Sequence, residues 1–168
     1  MSSSHVLHDY PASTSLPRWL VTGFISGFLA VLLFHQGVAF VLHAMDWTPR
    51  APYSFEPTRP FGLPHLWSIA FWGGVWGAVL AAFLRRLAGT RLIAAATVFG
   101  AVLPTLVAWF VVAPLKGQPI AAGGAPVAMA VALLVNGAWG LGSGLGLALF
   151  GRSRASGHDH GHAAHGYF

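Results

Sequence analysis

The chain has 168 residues, of which 55% are hydrophobic and only 8% charged, and its mean hydropathy is +0.65. A soluble domain keeps about a quarter of its residues charged to hold its surface in water, so this composition excludes a soluble globular fold. The net charge of +5 would point to nucleic acid in a soluble protein, but here the basic residues stand between apolar stretches, and the lack of cysteine excludes disulfides and thiolate metal sites.

Residues 1–18 form a polar N-terminal segment without a basic signal-peptide n-region, and the apolar run after Arg18 is too long for a signal-peptide core. The first span is therefore expected to stay in the protein. Apolar stretches at about 19–45, 65–84, 92–114 and 125–150 are each long enough, at about 1.5 Å per residue, to cross a hydrocarbon core of about 30 Å. The expected fold is all-α, an integral membrane four-helix bundle over residues 19–150, up-down-up-down. Arg18, Arg85, Arg86, Arg91, Arg152 and Arg154 lie on one side of it, against Arg50, Arg59 and Lys116 on the other. The positive-inside rule then places both termini in the cytoplasm of a multi-pass inner-membrane protein.

In the first span Gly23 and Gly27 lie on one helical face with Ser26, Ala30 and Gly37. His35, Gln36 and His43 lie roughly opposite, able to look into one groove. The loop 46–64 carries five prolines interleaved with Trp47, Tyr53, Phe55 and Phe61. It reads as an extended, stiff aromatic segment at the outer interface, either a lid, a docking surface or a set of rings anchored among headgroups.

The second span carries Gly73 and Gly77 in one row of small residues and Gly74 in another, and the fourth carries Gly140 and Gly144. In lipid, helices associate by close backbone approach along such rows. Their number on so small a bundle predicts contact with a second copy or with other membrane subunits. Gly74-Val75-Trp76-Gly77 returns as Gly137-Ala138-Trp139-Gly140, which fits a repeat of two hairpins.

Counted from the outer helix ends, His35, Gln36, Trp76, Thr105 and Asn136 fall at one depth near the midplane. Polar residues at that depth act either as a functional layer or as interhelical hydrogen-bonding glue. At the outer rim, His43, Asp46 and His65 are of the right types for a divalent ion with an open position, and His43 with His65 for the axial pair of a haem.

The tail, residues 151–168, is expected to be disordered and carries His158, Asp159, His160, His162 and His165, which suit Zn²⁺, Ni²⁺ or Cu²⁺. Over about eleven residues it resembles the histidine-rich cytoplasmic segments of several metal transporter families. No phosphate-binding glycine motif, paired carboxylates or nucleophile with a neighbouring base is evident, so an enzyme is not expected. Three functions remain open: a structural, accessory or assembly subunit of a membrane complex; divalent metal handling through the midplane layer and tail; and a haem- or quinone-binding redox subunit.

Overall fold

The computed structural model describes residues 15–58 and 61–151. Four helices long and apolar enough to cross a membrane make up most of it: α1 (Leu16–Ala44), α2 (His65–Leu84), α3 (Gly89–Leu115) and α4 (Pro126–Phe150). Their ends fall within three residues of those expected from hydropathy. Pro17 and Pro126 sit in the first turns of α1 and α4, where a missing N–H leaves no intrahelical bond unmade. The 46–64 segment adds a two-residue hairpin, β1 (Pro57–Thr58) against β2 (Leu63–Pro64), with Pro57 opposite Pro64 and Thr58 opposite Leu63. Gly62 closes its turn at φ +68°, a conformation that costs glycine little.

Small residues set the packing. In the first hairpin the backbone of Gly77 lies on Gly27 and on the Gly23 carbonyl, while Gly27 in turn meets Gly73. In the second, Gly140 lies on Gly100 and on the Ala96 carbonyl, while Gly100 meets the Asn136 carbonyl. The two contacts are equivalent, Gly27 matching Gly100 and Gly77 matching Gly140. The repeated Gly-Xaa-Trp-Gly motif thus marks the same seam in each hairpin. No side chain separates the backbones there, so dispersion contacts form along the whole seam.

The hairpins join through α1 and α4, where Ser26 lies on Gly146, Phe34 on Gly142 and Trp19 on Gly151. Trp139 donates its indole N–H to the Gly27 carbonyl at 2.9 Å, and Trp19 donates to the Ala81 carbonyl at 2.7 Å. The equivalent pair, α2 and α3, stays apart. In the correspondence given by the two seams, Phe99 and Phe83 stand where Ser26 and Gly146 stand in α1 and α4. Their ring centroids are 6.2 Å apart, with Trp76 at a further 6.2 Å from Phe99. Two phenylalanine rings replace a serine and a glycine, which wedges α2 away from α3.

The surplus of small-residue faces foreseen from sequence is spent inside the chain. Gly74 lies against the Phe24 ring, Gly142 against Phe34 and Gly146 against Ser26, so these rows are not free for a second subunit.

Candidate functional site

The end of the bundle that carries the 46–64 segment holds the candidate site. Within α1 the backbone widens to a π turn over Val31–His35, a feature that recurs at functional sites. The amide of Gln36 bonds the Val31 and Leu33 carbonyls in place of Leu32. The Tyr53 hydroxyl donates to the Leu32 carbonyl at 3.0 Å, and the Tyr53 amide donates to Gln36 Oε1 at 2.7 Å. Tyr53 adopts φ +52°, uncommon for a side chain of its size, and these two bonds hold it there. The segment then continues across the start of α2, where the amides of His65 and Leu66 donate to the Glu56 and Ser54 carbonyls at 2.9 and 3.0 Å. It forms a folded cap, hydrogen-bonded to two helices, in place of the extended loop expected.

Beneath the cap lies a cavity of about 370 Å³. Its polar side is formed by Arg50, Ser54, Glu56, His65, Lys116 and Gln118. Its other side is the C-terminal end of α3, where Ala108 and Val112 sit in a second π turn, Ala108–Val112, that follows Pro104. Arg50, Lys116 and Glu56 all act electrostatically on the His65 imidazole. Two permanent cations and an imidazole thus face one carboxylate, and none of these side chains is in an ion pair or hydrogen bond among the described residues. His35 lies behind, in electrostatic contact with His65, and its Nδ1 is buried without a hydrogen-bond partner.

Of the midplane residues, the structure joins some and separates others. Asn136 donates through Nδ2 to Thr105 Oγ1 at 2.8 Å, and Thr105 is fully buried. Gln36 is spent on Tyr53. Trp76 does not belong to this layer. Val31 meets Gly73 and Phe28 stacks on Trp67 at 6.3 Å, so the part of α2 level with His35 lies near Trp67, about two and a half turns from Trp76. The sequence count failed because it measured depth from the helix ends. Helix α1 runs about two turns past the first residue of α2, and the cap fills the difference.

The same offset separates the rim residues. His65 is level with the region just after Gln36, whereas His43 lies about two turns further along and has its Nδ1 2.9 Å from the Thr48 carbonyl. Among the described residues no three His, Asp, Glu or Cys side chains are grouped to hold a metal, so the structure does not bring His43, Asp46 and His65 together. The tail residues His158, Asp159, His160, His162 and His165 lie outside the described residues.

Sequence reasoning missed Tyr53 as a clamp and Arg50, Glu56, Lys116 and Gln118 as cavity residues. Their signal was present in part, since the bases outside the spans on that side were counted for orientation but not gathered in space. Comparisons with protein-family models, with curated proteins and with solved structures give no match. The functional reading therefore rests on the residues themselves.

Proposed function

We propose that this chain is a non-catalytic subunit of a membrane complex. In this reading it crosses the inner membrane up-down-up-down with both termini cytoplasmic, as the split of six basic residues against three supports. The capped end then faces away from the cytoplasm and forms the docking platform. The observation that carries the reading is the pair of hydrogen bonds from Tyr53 to Leu32 and Gln36, in and just after the α1 π turn. It fixes a segment whose Trp47, Phe55 and Phe61 rings remain exposed, with Phe61 84% accessible. A rigid aromatic surface loses little conformational entropy when a partner covers it. The glycine rows, consumed within the chain, serve the bundle and leave the partner contact to the cap.

A photo-crosslinking residue introduced at Phe61 or Phe55 in intact membranes tests this. A discrete protein adduct from both positions, absent from a position on the opposite end such as Arg86, is expected. Adducts with lipid alone at both positions would overturn the docking role. Metal handling rests on the tail histidines alone, and the redox alternative lacks support for its axial pair because His43 lies about two turns beyond the level of His65.

A further inference from the structure

We infer that the cavity beneath the cap holds the phosphate group of an anionic phospholipid that enters sideways between α2 and α3. This deepens the proposed function, since it rests on the capped end lying at a membrane interface, and it assigns that end a ligand.

The first observation is charge. Arg50 and Lys116 line a cavity in which Glu56 is the only carboxylate among the described residues, and neither cation has a partner among those residues. Arginine offers a fork that matches two phosphate oxygens and lysine adds a compact charge, a combination suited to a tetrahedral oxyanion. The first two amides of α2 are already bonded to the Glu56 and Ser54 carbonyls, so recognition falls on these side chains and not on the helix terminus.

The second observation is shape. Opposite the charges the wall is apolar, formed by Ala108 and Val112 of α3. A free, fully hydrated anion gains nothing from that wall, whereas a lipid sets its headgroup on the polar side and its glycerol and first methylenes on the apolar one. The third is access. The Phe83, Phe99 and Trp76 rings hold α2 and α3 apart where the equivalent α1 and α4 close on Ser26 and Gly146. Those rings lie in the other half of the bundle, and the cavity itself is bounded by His65 of α2 and by Ala108 and Val112 of α3, so it lies between the same two helices. Glu56 completes the chemistry as an acceptor for a headgroup hydroxyl.

The test uses the full chain purified in mild detergent and offered equal amounts of phosphatidylglycerol and phosphatidylcholine, with bound lipid read by native mass spectrometry. Phosphatidylglycerol is expected to be retained preferentially. Arg50→Gln and Lys116→Gln should each lower that preference about tenfold, the loss of one charge-assisted contact. Lys116→Arg should restore it, and Arg86→Gln at the other end should leave it unchanged. In a parallel arm inorganic phosphate is the probe. A rise in the unfolding temperature of the wild type that Arg50→Gln abolishes, without lipid preference, would keep the oxyanion site and assign it to a soluble phosphate. Equal retention of the two lipids with no effect of phosphate overturns the inference, as does an equal response of Arg50→Gln and Arg86→Gln. Crosslinks from Phe61 that persist in that case would leave the docking platform standing while the lipid site falls.

Discussion

The amide of Tyr53 meets the side-chain oxygen of Gln36 at 2.7 Å, tying a proline-rich connection to the middle of a transmembrane helix. The relationship gives a buried glutamine a partner from outside the helices and gives the cap a fixed point. A hydrogen-bonding group in an apolar setting is costly when unmet, so the two residues hold one another in place.

Gln36→Leu leaves the Tyr53 amide without its acceptor and should lower stability by about 1–3 kcal/mol, whereas Tyr53→Phe removes only the bond to Leu32 and should cost about 0.5–1.5 kcal/mol. Denaturant titration in detergent measures both. Amide exchange across residues 50–58 should accelerate more in Gln36→Leu. Equal exchange in the two variants would mean that the amide bond does not anchor the cap.

Glycines at the seams and glycines in open positions should respond with opposite signs. A methyl group at Gly100 would lie 2.6 Å from the Asn136 carbonyl oxygen and 2.7 Å from the Gly140 Cα, both backbone atoms that cannot step aside. Gly100→Ala is expected to destabilise by about 1–3 kcal/mol. Gly37 has nothing within 4 Å of the same position, and Gly37→Ala should be neutral or stabilising by up to about 1 kcal/mol. Unfolding midpoints of the two variants decide this.

A double-mutant cycle on Asn136→Leu and Thr105→Val should return a coupling of about 0.6 kcal/mol, the typical worth of a polar contact between membrane helices. A coupling near zero would show that each residue finds another partner when the first is lost.

The separation of α2 from α3 is assigned to ring volume. Replacing the wedge with Phe99→Ser and Phe83→Gly recreates the pair that lets α1 and α4 close. Spin labels at Ser68 and Leu106 should then move together, as the helices approach the roughly 8 Å spacing of a small-residue contact. An unchanged distance would locate the cause in the cap.

Zinc carried by the purified protein should be unaffected by His43→Ala and by His65→Ala, since these side chains share no metal-binding group. Any zinc present should disappear when His158, His160, His162 and His165 are replaced together. Elemental analysis of the variants gives the answer, and a loss of zinc in His43→Ala would contradict the separation of that ring from other metal-binding side chains.

The sequence alone determined the solvent and the elements. Hydropathy is a sum over neighbours along the chain, so the four helices and their lengths follow from composition within each stretch. It also marked the small residues, because their spacing on a helix is local, and the repeated Gly-Xaa-Trp-Gly motif gave the equivalence of the two hairpins. Tertiary structure decided which row met which, and how far along. That Gly27 seats on Gly77, that Ser26 admits α4 where Phe99 excludes α2, and that Tyr53 folds back to Gln36 all depend on pairs of residues distant in the chain. The register of α1 against α2 follows from those close approaches and not from the helix ends. It separated Trp76 from the polar layer and His43 from His65, and it opened the cavity that gathers Arg50, His65 and Lys116.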